Sequence, residues 1–164
     1  MRAVHGPMSD LMQLVVFRLD DQRYGLPLAV VERIVRAAEL TPLPKAPAIV
    51  LGVIDVAGQV LPVLNVRQRF RLPDRDLSTA HQFLIAQTRQ RPLVLVIDEA
   101  QGVIEARDVD IVDAAEITPC LEQISGVVKL TDGLVLIHDL DKFLSLDEGR
   151  ALDQALKDEA PYGP

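Results

Sequence analysis

The stretch Leu51-Gly52-Val53-Ile54-Asp55-Val56-Ala57-Gly58-Gln59-Val60-Leu61-Pro62-Val63-Leu64-Asn65-Val66 most restricts the folds open to this chain. It reads as two short strands joined by a tight turn at Ala57-Gly58. Val60, Pro62, Leu64 and Val66 alternate along it and are predicted to share one pleated face. Seventy-four residues later the pattern returns. Gly126-Val127-Val128-Lys129-Leu130 matches Gly52 to Val56, and Leu134, Leu136 and Leu140 fall where Val60, Pro62 and Val66 fell. Asp132-Gly133 reads as the second turn, because Gly, and tolerably Asp, accept the positive φ that tight hairpins need.

A strand, a polar turn and a second strand precede each of these hairpins. The first set runs from Leu14 to Leu28 around Asp20-Asp21-Gln22-Arg23, and the second from His81 to Ile97 around Arg89-Gln90-Arg91. Phe17 matches Phe83 at an offset of 66 and Leu28 matches Ile97 at 69, which predicts small insertions in the repeat. Pro27 predicts that its strand lies at an edge or ends there. Val30 to Val35 is ambiguous between helix and strand. Pro42, Pro44 and Pro47 make Leu40 to Ala48 an extended connector. Arg67 to Thr79 reads as the link between the two halves. Ser145-Leu146-Asp147-Glu148 has the form of a capping box, and Leu152, Ala155 and Leu156 follow at helical spacing.

At 164 residues the chain can bury about 70% of its unfolded surface, enough for one domain or two fused small ones. A formal charge of −7 and few aromatics argue against a nucleic-acid partner, which needs cations and stacking platforms. The single cysteine, Cys120, excludes an intramolecular disulfide and a Cys-built zinc site, and suits a reducing cytoplasm. Met1 to Asp10 has no apolar core of a signal peptide, and no apolar run is long enough to span a membrane.

No catalytic constellation emerges. His5 lies in a loose terminus, His81 at a strand start, and His138 takes the slot of Leu64 on an apolar face, as a packed or rim histidine. Cys120 beside Pro119 has no neighbouring His or Lys to activate it. Glu105, Asp108, Asp110, Asp113 and Glu116 do not have calcium-loop spacing and read as a solvated acidic stretch. The expectation is a non-enzyme without cofactor or metal, working through its surfaces. A small-ligand β-barrel or enzyme is the competing class, and it would need an interior pocket with converging polar groups.

Tyr24-Gly25-Leu26-Pro27-Leu28, Val31 and Ile34, Thr41-Pro42-Leu43-Pro44, Ala46-Pro47, Gly52-Val53-Ile54 and Gly58 with Val60-Leu61-Pro62-Val63 together resemble the CheW family. Val96-Ile97-Asp98, Gly126-Val127-Val128-Lys129-Leu130 and Leu134-Val135-Leu136-Ile137 extend the resemblance over about residues 14–145. It implies a mainly β fold of two SH3-like five-stranded β-barrels around a shared core, with a C-terminal helix at 146–158 and loose ends at 1–10 and 159–164. The halves would be about 14–72 and 80–145, whether side by side or intertwined.

The resemblance also implies a cytoplasmic adaptor, sited at membrane-associated receptor arrays. It would join methyl-accepting chemoreceptor cytoplasmic tips to the regulatory domain of a CheA-type histidine kinase, with no nucleic acid and no membrane insertion. Its carried-over protein-binding positions are Val31, Gly52, Ala57, Gly58 and Val103, with Arg33 as an altered one. The family reads Asn-Leu-Arg-Gly where this chain has Asp55-Val56-Ala57-Gly58, so the guanidinium is missing. It tends to read Val-x-Glu-Val where this chain has Val31-Glu32-Arg33-Ile34, and often Gly where Val94 stands. A one-residue shift along a strand would carry the acid to the opposite face. These departures point to a variant adaptor with altered partners, in a non-flagellar pathway or in polar localisation.

Overall fold

The computed structural model describes residues 11–107, 110–113 and 124–159. Its strands are β1 (Leu11–Leu19), β2 (Gln22–Pro27), β3 (Val31–Arg36), β4 (Val50–Val56), β5 (Gln59–Leu64) and β6 (Gln82–Gln87). They continue as β7 (Pro92–Ile97), β8 (Glu99–Arg107), β9 (Ile111–Asp113), β10 (Ile124–Leu130) and β11 (Gly133–His138). The helices are α1 (Val66–Arg69) and α2 (Leu146–Glu159). The ambiguous stretch at 30–35 is mostly strand. A 3-10 turn at Leu28–Val30 precedes it, and its Val and Ile side chains suit the pleat better than a helix. β2 ends at Pro27 and is central in its sheet, so the proline terminates the strand rather than marking an edge.

One sheet has six strands in the order β8-β1-β2-β11-β10-β9, and the other five in the order β3-β6-β7-β5-β4. The five-stranded sheet is thus one continuous stretch of chain nested inside the other. Each sheet joins the first hairpin of one repeat to the Gly-led hairpin of the other, through the parallel pairs β2–β11 and β5–β7. The repeats interlace. Both sheets are SH3-like, but neither closes into a ring: among the described residues no pairing joins β8 to β9 or β3 to β4.

The registers correct the alignment of the repeats. Ile137 pairs with Gly25 and Val63 with Val94, which makes Gly25 and Val94 equivalent at an offset of 69. The same offset relates Val16, opposite Gly25, to Ile85, opposite Val94. Phe17 therefore corresponds to Ala86, and Phe83 to Leu14. The expected match of Phe17 with Phe83 fails because it would put them on opposite faces: Phe17 lies between the sheets and Phe83 inside the five-stranded one. The difference between offsets of 69 and 74 is taken up in the stretches that hold β3 and β8, outside the hairpins.

A sixth strand in one sheet was not expected, and it has a counterpart in the other. Thr41 makes a single antiparallel bridge to Val53, where β9 pairs Val112 with the equivalent Val127. Pro42 and Pro44 carry no N–H, so the connector cannot extend that bridge into a strand. Glycine makes both contacts possible. A Cβ on Gly52 would meet Thr41 O at 2.6 Å, and one on Gly126 would meet Ile111 Cγ2 at 2.8 Å.

The two hairpin tips differ. Val56 pairs with Gln59 across Ala57 and Gly58, both at positive φ (51° and 87°), as a type I′ turn requires. Gly58 N–H donates to Asp55 Oδ1 at 2.8 Å and fastens the turn. In the second hairpin Leu130 pairs with Gly133, so Thr131 and Asp132 form the tip and Gly133 opens β11. The Asp-Gly signal is offset by one residue from the turn it predicted.

Burial follows from the stacking of the sheets. Val15, Phe17, Leu19, Leu64, Leu84, Leu93, Leu95 and Ile97 fill the space between them, with Ile49, Val66 and Phe143. Alternate residues line the two interiors: Leu14, Val16, Val128, Val135 and Ile137 in one, Leu61, Val63, Phe83, Ile85 and Val94 in the other. Of the four positions expected on one face of β5, Val60 is exposed, while Pro62, Leu64 and Val66 are buried. No helix among the described residues is long and apolar enough to cross a membrane.

A non-glycine residue at positive φ is held at a cost that Asn tolerates better than Ala. Ala57→Asn is expected to raise the unfolding free energy by about 0.5–1 kcal/mol, read by chemical denaturation. No gain would mean that the turn relaxes away from the positive-φ geometry.

Candidate interaction site

The candidate surface residues occupy three places. Val31 and Arg33 sit on β3, one edge of the five-stranded sheet, and Gly52, Ala57 and Gly58 on the β4–β5 hairpin at the other edge. Val103 lies on β8, an edge of the six-stranded sheet, opposite Val15 and half exposed. Val31 is half-buried against the core between the sheets. Ala57 and Gly58 are exposed, whereas Gly52 is buried beneath Thr41, where its lack of a Cβ admits the connector. The register on β3 changes the expected effect of the shifted acid. Val31 pairs with Ala86 and Arg33 with Ile85, so Glu32 is the extra residue of a β-bulge. Arg33 takes the paired position, and both charges are solvent-exposed.

A feature missed in the sequence lies where the two sheets meet. Asn65 caps α1 by accepting from Gln68 N–H at 3.2 Å, and the following turn carries Arg67 inward until it is 6% exposed. Arg67 Nη2 donates to both oxygens of Asp98 at 2.7 and 2.6 Å, and Nη1 donates to Asp20 Oδ1 at 3.0 Å and Pro73 O at 3.2 Å. Asp20, at the tip of the β1–β2 hairpin, donates its own N–H to Asp98 Oδ2 at 2.7 Å. Arg75 pairs with Asp20 at 2.9 Å, and Arg18 approaches Asp98 at 3.7 Å. One guanidinium thus holds the turn of one sheet to the end of β7 in the other. Burial works to lift the Asp98 pKa, but the hydrogen bonds from Arg67 and Asp20 N–H, and the charge of Arg67, outweigh it and hold the carboxyl below its usual range. Burial likewise works against charge on Arg67, yet its two carboxylate partners raise its pKa. One Arg among four in a stretch read as linker gave no sequence signal, because its acidic partners lie 47 and 31 residues away.

The two described histidines sit in packed, partly hydrogen-bonded surroundings. His81 Nδ1 accepts from Ser78 N–H at 3.1 Å, which leaves the proton on Nε2, 3.6 Å from Asp98 Oδ1. His138 is 2% exposed, in edge contact with Phe17, Tyr24 and Phe70 and stacked near Phe143. Neither ring nitrogen has a hydrogen-bond partner, and burial drives its pKa from 6.5 to about 3. It is a packed histidine, as its match to Leu64 suggests. Among the described residues no group of three or more His, Cys, Asp and Glu is placed to hold a metal ion. His5, Asp108, Glu116 and Cys120 lie outside the described residues.

Two interlaced SH3-like sheets, presenting turns and edge strands around a shared core, define the class of domain to which the chain belongs. The chain belongs to the CheW family: the CheW-like domain model matches residues 13–148. It is 28% identical over 146 residues to the chemotaxis protein CheW of Treponema pallidum, covering 85% of this chain and 86% of that one. With the chemotaxis protein CheW of Rhizobium meliloti it shares 28% identity over 141 residues, 85% of this chain and 91% of the relative. Its fold matches the crystal structure of the scaffolding protein TtCheW from Thermoanaerobacter tengcongensis with a TM-score of 0.76 and 24% identity, covering 84% and 94% of the two chains. The family is one of non-catalytic scaffolds, and the chain is not an enzyme.

Removing the guanidinium would leave Asp20 and Asp98 facing each other without their shared cation. Arg67→Ala is expected to cost about 3–5 kcal/mol in denaturant unfolding, with Arg67→Lys intermediate because it keeps the charge but not the fork. His138 gives a pH signature. The unfolded chain takes up its proton near pH 6.5 and the folded chain only near 3, so this contribution is full above 6.5 and falls as the pH drops. The loss amounts to about 1.4 kcal/mol per pH unit in that window. In His138→Leu that component of the slope disappears, and stability at neutral pH rises by about 1–3 kcal/mol through loss of the unpaired imidazole. Unchanged pH dependence would show that the ring is hydrated.

Proposed function

We infer that the chain is a cytoplasmic signalling adaptor that couples chemoreceptor cytoplasmic tips to the regulatory domain of a CheA-type histidine kinase. The observation that carries this reading is the CheW-like match over residues 13–148, which takes in both sheets and both Gly-led hairpins. The interlaced repeat suits such a role. It offers two surfaces of like backbone and unlike side chains, one for each partner. The β4–β5 tip, with Ala57 and Gly58, and the β3 and β8 edges, with Val31, Arg33 and Val103, are the contact positions assigned to them. Gly52 lies farther down the hairpin, where its missing Cβ admits Thr41 of the connector.

Ala57 and Arg33 favour one refinement, an adaptor of a non-flagellar or polar-localisation pathway whose partners suit an apolar turn and a basic edge. An arginine at position 57 would add a multidonor group worth about 2 kcal/mol when desolvated, roughly thirtyfold in affinity. The test measures binding of a standard receptor tip and a kinase regulatory domain to the native chain and to the double variant Ala57→Arg, Arg33→Glu. Weak native binding that rises about thirtyfold in the variant is expected. Adaptor-like native affinity that the double change leaves alone would remove the refinement. No binding of either partner by either protein would overturn the adaptor reading.

A further inference from the structure

α2 rests on the rest of the protein by a narrow stripe. Of its described side chains only Leu152 and Ala155 are buried, with Glu148, Ala151 and Leu156 partly covered. Two ion pairs fasten it: Glu148 to Arg69 of α1, and Asp153 to Arg91 in the β6–β7 turn. The capping box is formed in full, with Glu148 N–H on Ser145 Oγ at 3.1 Å and Ser145 N–H on Glu148 Oε1 at 2.9 Å. The helix carries five acidic residues against two basic ones. Residues 28–97, which supply both arginines, carry nine basic against five acidic. The contact is acid on base, around an apolar pair.

The helix does not use its seat fully. Arg69 Nε is buried with no acceptor, so Glu148 engages only one end of a fork that can hold a carboxylate by two parallel bonds. A cleft of mixed character beside the start of α2 is lined by Thr88, Gln90, Arg91, Leu140, Asp141 and Leu146 among others. Leu146, the first residue of the helix, lines that cleft and is 71% exposed.

We propose that the seat of α2 is a second docking surface, which takes an acidic amphipathic helix from a partner protein, and that α2 is its occupant in cis. The partner helix is defined by what the seat holds and lacks. It carries an apolar pair three residues apart, a carboxylate four residues before the first of them to engage both ends of Arg69, and a carboxylate for Arg91. The inference does not rest on the partners named above, because Arg69, Arg91 and the apolar seat under Leu152 and Ala155 are not among the contact positions assigned to them. A tethered helix competes at an effective concentration in the millimolar range, so the seat is occupied by α2 until a better-matched helix displaces it.

The test uses a labelled peptide of the sequence of residues 145–159, the full-length chain, and two full-length variants that loosen α2, Asp153→Lys and Leu152→Asp. Fluorescence anisotropy is expected to show the peptide binding both variants about tenfold or more tightly than the native chain, with affinity falling as salt is added. A peptide with Glu148→Lys and Asp153→Lys should lose about tenfold or more. Hydrogen exchange of the native chain should show α2 opening well before β6 and β7. Asp153→Lys alters only an exposed carboxylate, so it reports even if Leu152→Asp fails to fold. The proposal is overturned if the peptide binds none of the three proteins, if the charge-reversed peptide binds equally well, or if α2 is as protected as β6. Dimers formed by exchange of α2 between copies would overturn it in favour of self-association.

Discussion

The central strands of this protein have two buried faces. β1 points Val15, Phe17 and Leu19 into the layer between the sheets and Leu14 and Val16 into the interior of its own sheet. β6 does the same with Leu84 and Ala86 on one side and Phe83 and Ile85 on the other. Neither sheet can be removed without exposing a face of the other, so the two fold as one unit. Interlacing adds a covalent constraint, since the chain crosses between sheets at β3 and returns at β8. The polar side chains left for partners are therefore concentrated at turns, edge strands and the helix, where one face or end reaches solvent.

The ion cluster around Arg67 is the polar complement of that apolar layer. Charges this deeply buried are stable only when each donor and acceptor is paired, and here the guanidinium meets two carboxylates and a carbonyl. Its partners come from both sheets, so it also sets how the β1–β2 turn sits against the end of β7. Apolar packing is tolerant of small slides, whereas a two-pronged guanidinium–carboxylate contact is not. Arg67 thus fixes how the β1–β2 turn sits against the end of β7, on top of the apolar layer that the two sheets share. His138 shows the opposite case, a polar ring buried among aromatics with no partner, tolerated because the neutral imidazole is small and flat.

The internal repeat gives the protein two similar frames that carry different side chains. The frames are close: both Gly-led hairpins carry a bulge ahead of the paired glycine, between Val50 and Gly52 and between Ile124 and Gly126. The tips are not. Ala57-Gly58 turns with both residues at positive φ, while Thr131-Asp132 leads into a glycine that opens the next strand. Edge strands β3 and β8 each carry a bulge, which twists an exposed edge away from unwanted strand pairing while leaving its side chains available.

Most of the strands, the two hairpins, the capping box and the fold family were legible in the sequence through local signals, whereas β3 stayed ambiguous and β9 and the end of β8 fall in a stretch whose charges read as a solvated acidic segment. Alternation, turn residues and Ser145 with Glu148 are local signals. What the sequence left open depends on contacts between distant segments. A repeat in sequence does not say whether its units pair with themselves or with each other; the parallel pairs Ile137 with Gly25 and Val63 with Val94 settle that only in three dimensions. Phe17 and Phe83 look alike but face different compartments, since the face of a strand follows from register. Glu32 and Arg33 could not be placed without the bulge between Val31 and Arg33. Arg67 carried no local mark at all, because its meaning comes from Asp20 and Asp98, which only the packing of one sheet on the other brings within reach.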